Sequence, residues 1–220
     1  MERKVLYTSD GSSTIFIPEM DETYHSSHGA IQEARHVFLK YGIESIDKID
    51  LKIFEMGFGT GLNALLSLQS SNEHNKNITY HSIEAFPVEM ELIEKLNYVQ
   101  EINPSYGKDF NLMHTSDWNK DVQISDRFTL YKIHAKIEKY TMPEACYDLI
   151  FFDAFGPRAQ EKMWTVEILQ KMYDGLVKGG MLVTYCAQGQ FKRNLKMLGF
   201  EIEALPGPPG KREMTRAIKS

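Results

Sequence analysis

Glu55-Met56-Gly57-Phe58-Gly59-Thr60-Gly61-Leu62-Asn63 is the stretch on which the fold turns. Upstream, Leu51–Met56 is a short apolar run of the kind that forms a fully buried strand. Downstream, Leu62–Leu68 opens a helix. Three glycines between them let the backbone turn tightly and let a ligand approach where a Cβ would intrude. Strand, glycine turn and helix in that order form the opening unit of a nucleotide-binding α/β fold, although a bare glycine pattern does not name the nucleotide.

Outward from this unit, strand and helix alternate. Ile78–Ile83 reads as a second strand, and Pro87 suits the first turn of a helix carrying Met90, Leu92, Ile93 and Leu96. Phe128–Ile133 and Asp148–Phe152 read as further strands. A helix over Thr165–Leu176 is expected to stop at Lys178-Gly179-Gly180, before a strand at Met181–Ala187. Phe191–Leu198 is helical, and Phe200–Leu205 with Met214–Ile218 forms a closing hairpin around the Pro206–Gly210 loop. The pattern predicts a mostly parallel sheet covered on both faces, with an antiparallel C-terminal strand. Residues 1–46 differ in character and read as a small N-terminal extension packing on the core and the ligand site; 47–220 is the ligand-binding domain, and the whole is one compact unit. Thr14–Ile17 is a short strand there, and a helix follows with Ala30, Ala34, Val37 and Phe38 on one face.

Composition sets outer bounds. The chain has 220 residues, 42% of them hydrophobic and 25% charged, as in an ordinary globular domain. No secretory leader and no run of about 20 apolar residues is evident, so a cytoplasmic location is expected. Cys146 and Cys186 lack metal-ligand spacing and read as buried thiols in a reducing compartment. His25 and His28, without a third ligand, do not suggest a metal, and none is expected. The net charge of −5 argues against a generally basic nucleic-acid binder. Residues 192–220 nevertheless hold seven Lys or Arg against three Glu, or +4, leaving −9 elsewhere. Such asymmetry suits a surface that meets an anion, or a solvated tail.

Acids at the strand ends narrow the ligand. Glu55 would repel a pyrophosphate but can pair with the ammonium of a methionine moiety. Glu84 ends the second strand, where an acid accepts hydrogen bonds from ribose hydroxyls. The order Glu-x-Gly-x-Gly-x-Gly favours S-adenosylmethionine over NAD. Asp153 ends the fourth strand, at the carboxyl edge of the sheet where such folds take ligands. A protonated amine has no lone pair, and a carboxylate there can hold it and take its proton. Phe86, Phe155 and Trp164 are candidates to wall the pocket and favour a cation over their faces.

Several segments together resemble the methyltransferase domain of the bifunctional tRNA-modifying MnmC proteins and its stand-alone relatives. They are Asp21–Ser26, Gly29-Ala30 with Glu33 and His36–Leu39, Glu55–Asn63, Glu84–Pro87, and Asp153–Pro157 with Met163-Trp164. Lys192–Leu195 with Gly199-Phe200, and Pro209–Met214, complete the set. The resemblance implies a class I Rossmann-like methyltransferase with a seven-stranded sheet. Its cofactor S-adenosylmethionine would be bound by Tyr24, Glu55, Gly57, Gly59, Gly61, Asn63 and Glu84. It further implies methyl transfer to the amine of 5-aminomethyl-2-thiouridine at the tRNA wobble position, with Asp153 catalytic. Lys192, Arg193, Lys211 and Arg212 would then meet phosphates of the anticodon region. Two departures stand out. No residues remain for the oxidase domain of the bifunctional members, so another enzyme would supply the aminomethyl substrate. The segment Ile133–Ile137 lacks the acid usual beside adenine. Two rival readings share the fold: a spermidine-synthase-like aminopropyltransferase, and an inactive tRNA- or partner-binding module. An NAD-linked oxidoreductase is further off.

Overall fold

The computed structural model describes residues 2–220. Three short strands open the chain: β1 (Lys4–Tyr7), β2 (Ser13–Ile17) and β3 (Glu22–Thr23). Helix α1 (Ala30–Ala34) continues as a π-helical turn, Arg35–Lys40. Then follow β4 (Asp50–Met56), α2 (Leu62–His74), β5 (Asn77–Glu84), α3 (Met90–Ile93), α4 (Tyr98–Ile102), α5 (Gly107–Thr115), β6 (Asp121–Ser125), β7 (Phe128–His134) and β8 (Tyr147–Phe152). The last third holds α6 (Val166–Gly175), β9 (Leu176–Thr184), α7 (Gly189–Met197), β10 (Phe200–Pro206) and β11 (Glu213–Lys219).

Strands β1 to β3 form their own antiparallel sheet; the remaining eight lie in the order β10-β11-β9-β8-β4-β5-β7-β6. Pairing is parallel from β9 through β8, β4 and β5 to β7. From β4 the chain moves outward through β5 to β7, then returns to β8 on the other side of β4. Strand order therefore reverses between β4 and β8, and the crevice beyond their carboxyl ends is where such sheets take ligands.

Alternation along the strands divides the core. Leu51 and Ile53 of β4, with Leu149 and Phe151 of β8, join the apolar cluster beneath α1 and α2. Phe54, Ile150 and Phe152 face the opposite cluster with α6 and α7. By the same period of two, Glu55 and Asp153 point to the α2 face. Each large core side chain contributes about 1.5–3 kcal/mol by leaving water, so this alternation holds the register against a one-residue slip.

Five details differ from the sequence reading. The sheet has eight strands, because β6 adds an antiparallel edge to β7. Helix α5, with Phe110 and Met113 buried, is also additional. Pro87 stands outside the helix it was expected to begin; α3 starts at Met90, with Glu89 extended before it. Lys178-Gly179-Gly180 does not separate a helix from a strand. β9 runs through it, and its partners jump from Leu176 opposite Tyr147 to Met181 opposite Leu149. Gly179, at φ +76°, supplies the left-handed residue that this bulge requires. Cys186 is buried, but Cys146 is only half-buried.

Helix α5 places His114 against the glycine turn. Its ring packs on Phe58 and Phe110, and its Nε2 is buried without a partner. Burial, with Lys132 nearby, pulls its pKa down to about 3. The unfolded chain binds this proton near pH ~6.5, so His114 makes the native state lose stability as pH falls below that value. His114→Phe should remove that contribution. Its urea midpoint is expected to fall less than that of the unsubstituted chain between about pH 6.5 and pH 4. Parallel curves over this window would contradict the assignment.

Candidate functional site

A cavity of about 590 Å³ opens at the carboxyl ends of β4, β5, β7 and β8. That lies within the roughly 300–1,000 Å³ usual for small-molecule sites. Its floor is the turn after β4. Gly57, Gly59 and Gly61 have φ of +95°, +51° and +74°, a region that L side chains rarely adopt. Crowding adds to the backbone requirement. A Cβ on Gly59 would stand 3.0 Å from the Tyr24 ring, and one on Gly61 would stand 2.7 Å from His114 Nε2. The turn is fixed from two sides. Gly57 donates its N–H to the Ile83 carbonyl at 3.0 Å, and Gly59 donates to Glu84 Oε2 at 3.1 Å.

Glu84 also accepts from the Phe86 amide at 2.7 Å, so its carboxylate spans the glycine turn and the loop after β5. The N-terminal segment closes this side. Arg3 donates to the carbonyls of Phe86 and Pro87, pairs with Glu89 at 2.8 Å, and lies 5.9 Å over the Tyr24 ring. Tyr24 meets Phe155 edge to face at 5.0 Å. Tyr24 and Phe155 line the cavity with Gly57, Gly59, Asn63 and Glu84, while Phe86 stands 60% exposed at its rim. Burial pushes the Tyr24 hydroxyl up to about 12, so it keeps its proton. Beyond β7 the wall is Ala135–Glu138. The segment that lacks the usual acid therefore does border the cavity, and its acid comes later, as the exposed Glu138.

Asp153 lies on the cavity wall and accepts from Asn63 Nδ2 at 2.8 Å. Burial, reinforced by Glu33 and opposed by Asn63 and Lys211, pushes its carboxyl up to about 7. At neutral pH it is thus poised to exchange a proton. Glu33 on α1 accepts from Lys211 at 2.6 Å, and the Lys211 ammonium sits 3.9 Å over the Tyr185 ring. Tyr185 donates to the Ala154 carbonyl at 2.8 Å. Asp153, Glu33 and Glu22 all act on Tyr185, which gathers three carboxylates and one lysine beside the Asp153 end of the cavity.

Several expected site residues fall elsewhere. Glu55 is 1% exposed and lies beneath the turn, outside the cavity lining, with its carboxyl on Ser82 Oγ at 2.6 Å. Trp164 is core: it packs between Phe152 and Phe191, and its indole N–H donates to the Phe155 carbonyl at 2.8 Å. It supports Phe155 from behind and does not touch the cavity. Gly61 shapes the turn without lining the cavity. Of the four basic residues, Lys211 is held by Glu33 and Lys192 by Glu213 at 2.9 Å. Both charges are already compensated within the fold. Arg212 is exposed, as is Arg193, whose guanidinium bonds only Gln190.

Sequence reasoning missed Arg3 and the pairing of Glu33 with Lys211, because both act across long chain separations. It expected no metal at His25 and gave that side chain no other role. His25 instead bonds Thr60 Oγ1 at 2.9 Å, and burial brings its pKa to about 4, so it is neutral. Among the described residues there is no cluster of three metal-ligating side chains, and no helix is long and apolar enough to cross a membrane.

Comparison with known proteins agrees with this geometry. A profile of the S-adenosyl-L-methionine-dependent methyltransferase family matches residues 96–220. The tRNA 5-methylaminomethyl-2-thiouridine biosynthesis bifunctional protein MnmC of Pseudoalteromonas atlantica is 28% identical over 97% of the chain and 33% of its own length. Its namesake in Hydrogenovibrio crunogenus is 30% identical over 96% of the chain and 33% of its own length. The chain thus spans about a third of these curated relatives. Among solved structures, MnmC2 from Aquifex aeolicus superposes with a TM-score of 0.76 at 21% identity, over 98% of this chain and 69% of that one. Spermidine synthase from Thermotoga maritima shares the fold at a TM-score of 0.53 and 16% identity, over 99% of this chain and 72% of that one. The chain belongs to the S-adenosyl-L-methionine-dependent methyltransferase family, on the side of the MnmC methyltransferase domain, and S-adenosyl-L-methionine is its cofactor.

Proposed function

We propose that this chain methylates the aminomethyl nitrogen of 5-aminomethyl-2-thiouridine at the tRNA wobble position, giving the 5-methylaminomethyl form. The observation that carries the reading is Asp153: a carboxyl on the cavity wall with its pKa raised to about 7, beside a family cofactor. The names of the MnmC relatives support the choice of nucleoside.

The cofactor supplies an electrophilic methyl carbon on a positively charged sulfur. The chain's own residues do the rest. Gly57 and Gly59 keep the floor open to close approach, and Gly61 lets the turn form. Asn63 holds Asp153 in place, and Glu84 offers its remaining lone pairs to ribose hydroxyls. Ala135–Glu138 border the adenine end. Residues 1–46 act as an extension that closes over the cofactor through Arg3 and Tyr24. Phe155, with Phe86 at the rim, holds the uracil ring, and Trp164 steadies Phe155. Asp153 binds the acceptor ammonium, takes its proton, and leaves a lone pair directed at the methyl group. Arg193 and Arg212 are free to meet phosphates of the anticodon region, and such binding weakens with salt. The reaction would take place in the cytoplasm.

One observation favours an aminopropyltransferase as a second reading. A polyamine needs several acids, and Glu22 and Glu33 join Asp153 around Tyr185. Lys211 neutralises Glu33, however, which leaves two acids there, Asp153 and Glu22.

Labelled methyl is expected to pass from S-adenosylmethionine to RNA carrying aminomethyluridine. Asp153→Asn should slow this by about 10²–10⁴-fold with cofactor affinity little changed. The rate should climb through pH ~7 as Asp153 ionises, falling about tenfold per unit below it. No transfer to the pre-modified RNA contradicts the proposal; transfer of aminopropyl from decarboxylated cofactor to putrescine would establish the second reading. Gly59→Val, at φ +51° and against Tyr24, is expected to weaken cofactor binding in calorimetry by roughly tenfold or more, a cost of at least ~1.4 kcal/mol. Unchanged affinity would remove the turn from the site.

A further inference from the structure

We propose that Lys211 and Tyr185 are positioning residues for methyl transfer: the Lys211 ammonium, pinned by Glu33, holds the Tyr185 ring, and the Tyr185 hydroxyl fixes the Ala154 carbonyl and with it the loop that carries Asp153 and Phe155. The proposal rests on the reading of Asp153 as the base for the acceptor amine.

The loop needs outside support. Strand pairing of β8 stops at Phe152, so Asp153, Ala154 and Phe155 have no ladder to hold them. Side chains from three separate parts of the chain take its place. Asn63 of α2 donates to the Asp153 carboxylate at 2.8 Å. Tyr185, just past β9, donates to the Ala154 carbonyl at 2.8 Å. Trp164 donates to the Phe155 carbonyl at 2.8 Å. Asp153 and Phe155 both line the cavity, and the bond from Tyr185 holds the peptide between them. Trp164 is seated between Phe152 and Phe191. Tyr185 meets Trp164 edge-on at 6.4 Å, and one face of its ring is covered by the Lys211 ammonium, 3.9 Å from the centroid.

The loop between β10 and β11 aims that lysine. Pro206 pairs with Glu213 at its base, Gly207 donates its N–H to the Arg212 carbonyl at 3.2 Å, and Lys211 donates its N–H to the Pro208 carbonyl at 2.9 Å. Gly210 has a φ of +82°, and a Cβ there would stand 2.5 Å from the His28 ring. The loop therefore seats on the N-terminal extension and turns Lys211 inward, where Glu33 of α1 accepts at 2.6 Å. The pair is shielded, with the Glu33 side chain 10% exposed and that of Lys211 33%. A cation in that setting is drawn to an aromatic face. A phosphate would have to displace both partners to reach it. Arg212, the next residue, is the exposed cation of this loop. Burial holds the Tyr185 hydroxyl well above the usual tyrosine range, so it stays a donor. Neither side chain needs to touch the substrate; each acts by placing Asp153, and a misplacement of about 1 Å at a reacting centre costs on the order of 10²-fold in rate.

Tyr185→Phe removes one oxygen and keeps the ring. Lys211→Met removes the charge and keeps the stem, and Lys211→Arg keeps a cation. With aminomethyl RNA, Tyr185→Phe and Lys211→Met should each lower kcat about tenfold, with the KM for RNA and the calorimetric affinity for S-adenosylmethionine within about threefold. The double variant should be no slower than the slower single one, because both break the same chain of contacts. Lys211→Arg should recover most of the rate. Amides over 154–160 should exchange faster in both single variants with no RNA present. Lys211→Met leaves Glu33 unpaired; if urea shows that this variant does not fold, Glu33→Gln with Lys211→Met is read in its place. An unchanged kcat with a raised KM and a shallower salt dependence in Lys211→Met would overturn the proposal in favour of a phosphate contact. Rate losses that multiply in the double variant would overturn it, as would unchanged exchange over 154–160. If the unsubstituted chain transfers no methyl to aminomethyl RNA, the amine reading fails alone; exchange over 154–160 still decides whether Lys211 and Tyr185 hold the loop.

Discussion

The glycine turn after β4 must run through left-handed backbone at three alternate positions, and the rest of the site is arranged around that constraint. A turn of this shape brings the chain from the end of a central strand into α2 without side chains on its floor. It can hold its place only because neighbours fix it. Ile83 and Glu84 accept its N–H groups, Tyr24 covers Gly59, and His114 fills the space behind Gly61. The N-terminal sheet, β5 and α5 therefore meet at one loop, and a change in any of them reaches the turn.

Charge is the second constraint. Two acids end adjacent central strands on one face, in a region too dry to hold both ionised without help. The fold separates them by depth. Glu55 is sealed beneath the turn, whereas Asp153 keeps a face on the cavity and the Asn63 amide. The Glu33–Lys211 pair, drawn from opposite ends of the chain, sets the field on Asp153 from its other side. One carboxyl then remains near neutrality to exchange a proton, which matches the needs of an amine acceptor.

Much of this was legible in the sequence, for physical reasons. Leu51–Met56 and Asp148–Phe152 are buried on both faces apart from Lys52 and Asp148, so they read as mainly apolar runs, and the glycines between strand and helix have few other uses. Asp153 was legible because a carboxylate that ends such a strand faces the crevice. What escaped was set by long-range contact. Trp164 has the composition of a pocket wall but the neighbours of a core residue. Lys192 and Lys211 belong to a basic stretch, yet acids distant in sequence compensate them. Glu55 carries the expected residue type at the expected spacing, and only its depth shows that it does not touch the cavity. Lys178-Gly179-Gly180 has the same composition whether it ends a helix or bulges a strand, and the pairing with β8 decides which.

Amide hydrogen exchange with and without S-adenosylmethionine tests the central claim most directly, since it locates the cofactor without altering a residue. Exchange is expected to slow over 57–63, over the Arg3 and Tyr24 segments that close on the turn, and over 84–89 and 135–138. The groove lined by Arg35, His36 and Pro208 on the far side of α1 should be unaffected. Protection confined to that groove, or absent from the turn at saturating cofactor, would contradict the account.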